Sequence, residues 1–176
     1  MMFKKAAVAL ALSLGLVAAA NATVFNVGTV TAPMTFSQVV PHAPGVFSDQ
    51  WKFNIVGNTF AGGSVSNLLI DIPGIGVLSN ITGLSVQLYN GDTSALISDL
   101  DTNPGSTPSL KVGSGLFTPG HYYFTVAGNA TGMLGGQYVF AATTLPVPEP
   151  ESYALLLAGL GLMGTIARRR SKSTSV

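Results

Sequence analysis

The sequence predicts an all-β protein. We expect one antiparallel β-sandwich, of jelly-roll or immunoglobulin-like type, between an N-terminal signal peptide and a C-terminal transmembrane helix. Residues 23–145 of the 176-residue chain lack glutamate and are rich in Gly, Ser, Thr, Asn, Val and aromatic residues, which favours strands and turns. Apolar residues recur there with period two, and long apolar runs occur only near the two ends.

The first 22 residues have the form of a secretory signal peptide. Lys4 and Lys5 precede an apolar run over 6–20, and Ala20-Asn21-Ala22 is an A-x-A cleavage site. Signal peptidase accepts small side chains at Ala20 and Ala22, so we predict cleavage after Ala22. The Sec machinery and signal peptidase are therefore the first expected partners.

Four runs of alternating apolar residues predict strands in the domain of residues 23–145. Their apolar members are Trp51, Phe53 and Ile55; Leu84, Val86 and Leu88; Tyr122, Phe124 and Val126; and Tyr138 with Phe140. Turns are predicted at 41–45, 62–63, 73–76, 90–92, 103–106, 113–115 and 119–120, where Gly, Pro, Asn and Asp cluster. About eight to ten short strands in one domain favour a sandwich, with a barrel as the alternative.

The charge of this domain excludes one class of partner. It contains two lysines, Lys52 and Lys111, against five aspartates, a balance of −3. Without a basic face it is not expected to bind nucleic acid. The chain has no cysteine, so packing rather than disulfide bonds must stabilise it.

Few residues of this domain are typical of a catalytic or metal-binding site. Asp99, Asp101 and Asn103 alternate as at the start of a calcium loop, but Pro104 and Leu110 stand where such a loop needs glycine and glutamate. An Asx-rich turn is the main interpretation, and weak calcium binding is the alternative; no other cofactor is expected.

Two tyrosines are candidates for sugar stacking. Tyr89 and Tyr123 fall on strand faces opposite their apolar neighbours, whereas the pattern places Trp51 in the core. A sugar ring could stack on such exposed aromatic rings.

The two histidines give no catalytic pattern. We expect His42 in an exposed turn between two prolines and His121 at the start of a strand. A hydrolase would need an acid/base pair with recognisable spacing, and none is visible in the sequence.

Residues 146–176 read as a sorting signal. Pro148 and Pro150 fix an extended segment around Glu149. An apolar helix is predicted over about 152–167, followed by a basic tail, 168–176, that begins with Arg168, Arg169 and Arg170. The 15 residues from 153 to 167 span about 22 Å as a helix, marginal for a bilayer core of about 30 Å. The arginines should stay cytoplasmic, which places the β-domain outside the inner membrane.

This order of features resembles the PEP-CTERM sorting signal. The resemblance implies that Pro148, Glu149 and Pro150 are recognised by an exosortase, a membrane cysteine peptidase-transferase, and that the tail beyond them is removed on export. It also implies a Gram-negative bacterium that makes exopolysaccharide, and a final location at the cell surface or in the extracellular matrix.

The domain itself carries a weaker resemblance. Residues 47–53, FSDQWKF, and 116–128, LFTPGHYYFTVAG, followed by 135–138, GGQY, resemble the F-x-D-x-F group of PEP-CTERM proteins. More distantly, residues 47–142 resemble the jelly-roll-like bacterial pre-peptidase C-terminal domain.

Together these patterns predict a non-enzymatic exported protein. It would be held transiently in the inner membrane, processed by an exosortase and left at the cell surface or in the biofilm matrix. The alternative is a lectin-like module that binds exopolysaccharide, and a hydrolase with an unrecognised site is the third.

Overall fold

The computed structural model describes residues 21–147 and 154–164. The chain divides into two compact units, Met1–Leu145 and Pro146–Val176. The described part of the first unit is built almost entirely of strands. They are β1 (Val24–Val30), β2 (Met34–His42), β3 (Gly45–Ile55), β4 (Thr59–Asn67), β5 (Ile70–Ile72), β6 (Gly76–Ser79), β7 (Ile81–Asn90), β8 (Leu96–Asp99), β9 (Leu110–Phe117), β10 (Gly120–Ala130) and β11 (Gly136–Pro146), with a 3₁₀ turn at Leu100–Thr102.

These strands form two larger sheets and a small hairpin. The first sheet has the order β1-β3-β10-β7-β8, the second has the order β2-β11-β4-β9, and β5 pairs with β6. The long central pairs, β3 with β10 and β10 with β7, are antiparallel. The prediction of a mostly β protein with antiparallel sheets is thereby confirmed.

One strand departs from the purely antiparallel prediction. β1 pairs with β3 in parallel, with Phe25 opposite Trp51. Between them the chain crosses to the second sheet as β2 and returns, so β3 enters the first sheet in the same direction as β1.

The core lies between the two larger sheets. Trp51 of β3 stacks on Phe25 of the neighbouring β1 at 4.1 Å and on Phe140 of β11, in the second sheet, at 4.5 Å between ring centroids. Val86 and Val126 are fully buried beside them. Parallel aromatic contacts between strands of different sheets tie the two layers together.

The predicted alternation matches the burial along the central strands. Trp51 and Ile55 of β3 are buried, as are Leu84, Val86 and Leu88 of β7. Period-two patterns therefore located these strands and their inner faces.

Two predicted turns are wrong. Gly62-Gly63 lies inside β4, and Gly113-Ser114-Gly115 lies inside β9. These segments pair with each other, with Gly63 opposite Gly113 and Ala61 opposite Gly115. Glycine in a strand often marks a site where another group approaches the backbone closely. Here the glycines of β4 and β9 lie side by side, so side chains are missing from both strands at the same position.

The second unit contributes a helix over 154–164, which lies within the apolar segment predicted at about 152–167. In the described ranges, no helix is both long and apolar enough to cross a membrane.

Candidate functional site

The predicted sorting residues lie mostly outside the described ranges. Pro148, Glu149 and Pro150 fall there, as do Arg168, Arg169 and Arg170 and the signal-peptide residue Ala20, while Ala22 is described just before β1. The structure does describe two other candidate regions in the first unit. They are a buried polar cluster inside the core and an aromatic pair on the outer face of the first sheet.

The buried polar cluster is centred on Asp49. The alternation of β3 turns Phe47, Asp49 and Trp51 toward the core, and Asp49 is 0% exposed. Its Oδ2 accepts hydrogen bonds from the Tyr138 hydroxyl at 2.6 Å and from His42 Nε2 at 2.9 Å. Both donors reach the same oxygen, and such hydrogen bonds compensate for the burial of a carboxyl group.

Two further hydrogen bonds belong to the buried polar cluster. Oδ1 of Asp49 accepts from the backbone amide of Thr23 at 3.0 Å. The indole Nε1 of Trp51 donates to the Tyr138 oxygen at 3.0 Å. Burial, with the hydrogen bond to Asp49, raises the pKa of the Tyr138 hydroxyl far above its ordinary range, although the Trp51 donor opposes the rise. Tyr138 therefore stays protonated and works as a donor.

His42 is not in an exposed turn, contrary to the prediction. β2 continues through Pro41 to His42, which is buried and stacks on Phe47 at 3.9 Å between ring centroids. The two-residue connection of Ala43 and Pro44 leads directly into β3 of the other sheet, and His42 lies within hydrogen-bonding distance of Asp49. Because Asp49 can only accept, the Nε2 atom of His42 carries the proton in this contact.

A second Asp–His pair lies at the surface. His121 Nδ1 is 2.9 Å from Asp92 Oδ1, and both side chains are more than 60% exposed. His121 follows Gly120 at the start of β10, as predicted. The sequence therefore failed to anticipate two Asp–His contacts, since each joins residues from different strands or loops.

The two pairs have different surroundings. In the buried pair the carboxylate accepts hydrogen bonds from Thr23, His42 and Tyr138. The described contacts of His121 include Asp92 and no serine or threonine hydroxyl. The geometry supports a stabilising role for the first pair.

The two tyrosines predicted to bind sugar are brought together. Tyr89 of β7 and Tyr123 of β10 are register partners, and their rings stack at 5.1 Å with an interplanar angle of 9°. The Tyr89 hydroxyl donates to Gln87 Oε1 at 2.8 Å, and Gln87 Nε2 donates to Asp99 Oδ2 at 3.3 Å. The outer face of the first sheet thus has an aromatic pair beside a row of amide and carboxylate groups.

The three candidate calcium ligands lie in and around the 3₁₀ turn at Leu100–Thr102. Asp99 caps the 3₁₀ turn by accepting from the Asp101 amide at 3.0 Å. Asp101 accepts from the Val86 amide and faces Lys111 Nζ at 3.4 Å, while Asn103 donates to the Val112 carbonyl. Within the described residues, no three His, Cys, Asp or Glu side chains are grouped to hold a metal ion. Weak calcium binding stays a prediction.

One family model matches this chain, and the match is confined to the C-terminal segment. Residues 146–171 match the family model of the PEP-CTERM protein-sorting motif. No curated protein matches the chain in sequence.

Two solved structures resemble the fold distantly. The pre-peptidase C-terminal domain of collagenase from Bacillus anthracis is 16% identical, with a TM-score of 0.44, over 68% of this chain and 94% of that one. PliG of Aeromonas hydrophila, a periplasmic inhibitor of g-type lysozyme, is 13% identical, with a TM-score of 0.43, over 72% of this chain and 99% of that one.

Proposed function

We propose that this chain, whose residues 146–171 match the PEP-CTERM protein-sorting motif and so imply exosortase-dependent sorting, is a non-enzymatic component of the cell surface or biofilm matrix. In this proposal an N-terminal signal peptide exports a β-sandwich domain, and the C-terminal helix holds it in the inner membrane with the domain outside. An exosortase then recognises Pro148, Glu149 and Pro150 and removes the tail.

The single observation that carries this proposal is the sorting motif, which begins where the last strand of the β-domain ends. β11 ends at Pro146, the first residue of the matched segment. A recognition segment that follows the last strand at once can be cut without disturbing any hydrogen bond of the described sheets.

The test compares two glutamates in the same segment. Glu149→Ala should leave the arginine-containing tail on the protein and keep it in the membrane fraction, because Glu149 lies between the two prolines of the motif. Glu151→Ala removes the same charge two residues later and should be processed normally. Intact mass of the C-terminus, in cells with and without an active exosortase, decides the outcome. Extracellular protein that retains its arginine tail would contradict the proposal.

The aromatic pair favours a second candidate, a carbohydrate-binding module. Tyr89 and Tyr123 supply apolar ring surface, while Gln87 and Asp99 supply hydrogen-bonding groups nearby. Sugars are bound by this combination of stacking and polar contacts.

Calorimetry against the exopolysaccharide of the producing bacterium tests the second candidate. Tyr123→Ala should weaken binding about two- to tenfold, the effect of one lost stacking contact. Tyr123→Phe keeps the ring and should bind as the parent does. Equal binding by all three proteins would remove the aromatic pair from consideration.

A further inference from the structure

A cavity of about 330 Å³ lies between the two larger sheets. Its aromatic side is formed by Trp51, Phe53 and Phe124 of the first sheet. Its other side is formed by the glycine-rich parts of β4 and β9. This volume is in the range of small-molecule sites in proteins, about 300–1,000 Å³.

The cavity extends along the middle of the β4–β9 pair, where the inner face carries only Ala61 and glycines between larger residues at either end. The alternation that buries Thr59 and Val65 turns Ala61 and Gly63 inward, and Gly115 and Gly113 are their partners on β9. A Cβ atom added at Gly115 would meet no atom within 4 Å. A larger side chain at Gly115 would extend into this space, whereas a Cβ atom at Gly63 would meet the Ala141 carbonyl oxygen and one at Gly113 would meet Leu100.

The chemistry of the walls defines the ligand. The described lining residues include no charged side chain, and most of the exposed wall is apolar. A polar or charged ligand would lose its hydration without compensation there. Apolar cavities of about half this volume stay dry and bind hydrocarbons such as benzene.

An entrance lies between the edge strands of the two sheets. β8 ends the first sheet and β9 ends the second. Ile97 of β8 and Leu116 of β9 line the cavity while remaining 50% and 64% exposed, so they form an apolar rim.

We propose that this cavity binds an uncharged, mainly hydrocarbon small molecule that enters between β8 and β9. Trp51 is the single tryptophan of the chain and lines the cavity, so its fluorescence reports occupancy. The probe is 1-bromooctane, an uncharged molecule whose bromine quenches tryptophan on contact. The full chain in phosphatidylcholine vesicles should show saturable quenching that n-octane reverses.

Two matched variants test the proposal. Gly115→Leu fills the cavity and should weaken the apparent affinity for the probe at least about tenfold while keeping the unfolding midpoint. Ser37→Val adds apolar volume at an exposed position of β2 that does not line the cavity, and it should bind as the parent does. If Gly115→Leu does not fold, Ala61→Val replaces it. Quenching that rises linearly without saturation, or that is equal in Gly115→Leu and Ser37→Val, would overturn the proposal.

A second inference concerns the nitrogen of Thr23, which lies 3.0 Å from Asp49 Oδ1. Cleavage after Ala22 would turn this amide into the charged amino terminus of the mature protein. We infer that the new ammonium group forms an ion pair with the buried Asp49 carboxylate, so that processing strengthens the fold. The inference rests on the signal peptide of the proposed function.

The ammonium group would pair with a carboxylate that water does not reach. Asp49 is fully buried, and its other partners, His42 and Tyr138, reach it through Oδ2. Cleavage leaves the carboxylate acceptor unchanged and replaces its neutral amide donor by an ammonium group, which adds the attraction between opposite charges. The cut also removes Asn21 with its two backbone bonds to β3, whereas β1 from Val24 onward is retained.

The test separates the ion pair from the processing event. Edman sequencing of the exported protein shows whether Thr23 is its first residue. Independently, recombinant chains that begin at Thr23 and at Ala22 are unfolded in urea. The chain beginning at Thr23 should have an unfolding constant about tenfold lower. This difference should vanish when both chains carry Asp49→Asn.

Either of two results would overturn the inference. Equal stability of the two recombinant chains would exclude the ion pair even if the natural protein begins at Thr23. A stability difference that persists with Asp49→Asn would assign the effect to another contact.

Discussion

Replacing Asp49 by alanine should destabilise the β-domain more than any surface substitution of the same type. The carboxylate is fully buried and accepts from Thr23, His42 and Tyr138 at 3.0, 2.9 and 2.6 Å. Without it, the imidazole and the phenol hydroxyl are buried donors that lack an acceptor. Thr23 is exposed, so water can replace its lost partner.

The magnitude follows from those two buried donors. Each costs about 1–3 kcal/mol when it loses its partner. The substitution also removes the desolvation cost of the carboxylate itself, which offsets part of the loss. We expect a net loss of about 2–4 kcal/mol, a large fraction of the 5–15 kcal/mol typical of a whole domain.

Urea unfolding followed by Trp51 fluorescence measures this loss, because the indole donates to Tyr138 inside the same cluster. A loss of that size lowers the midpoint by about 1–2 M. Asp49→Asn keeps the volume and one acceptor, so its effect should be intermediate.

Asp92→Ala provides the matched control, since it breaks the surface Asp–His pair at the same 2.9 Å separation. An exposed pair contributes little, and we expect a change within about 0.5 kcal/mol. Unfolding of Asp49→Ala at the parent midpoint, or an equal loss in Asp92→Ala, would show that the buried network does not contribute this free energy.

Two further predictions concern the same fold. Burial raises the pKa of Tyr138 from its ordinary 10.0, so the unfolded chain ionises first as the pH rises. Stability should therefore be intact below about pH 10 and fall above it by about 1.4 kcal/mol per pH unit. Tyr138→Phe should lose this slope in urea titrations between pH 9 and 11, and an unchanged slope would contradict the assignment. Gly135→Ala should destabilise the domain by more than about 2 kcal/mol, because φ is +102° and a Cβ would overlap the His42 carbonyl oxygen. Gly115→Ala, which enters open space, should leave the melting temperature unchanged or higher, and equal effects at both glycines would refute the packing argument.

Much of the fold was accessible from local pattern. The alternation in β3, β7 and β10 depends on neighbours along one strand, which the sequence displays directly. Tyr89 and Tyr123 were placed on outer faces by the same alternation, and the structure adds that they are register partners. What no local pattern contains is which strand lies beside which.

His42 shows why the rest was hidden. Two flanking prolines normally indicate an exposed turn, and its burial depends on Asp49 and Phe47 of the next strand. One signal was available: Asp49 alternates with Phe47 and Trp51, so the strand pattern itself puts a carboxylate on a buried face. A buried carboxylate requires donors, and that requirement could have directed attention to the nearby histidine.

The all-β class, the inner faces of the main strands and the sorting motif at 146–171 can be predicted from sequence alone, because each depends on residues close together in the chain. The tertiary structure is needed to show that the glycines of β4 and β9 are strand partners beside a cavity. It alone joined His42, Asp49 and Tyr138 into one buried network. Both features depend on contacts between strands far apart in sequence. The residues next to a glycine or a polar side chain in the chain are the same whether it faces water or another strand, so the sequence pattern does not distinguish the two cases.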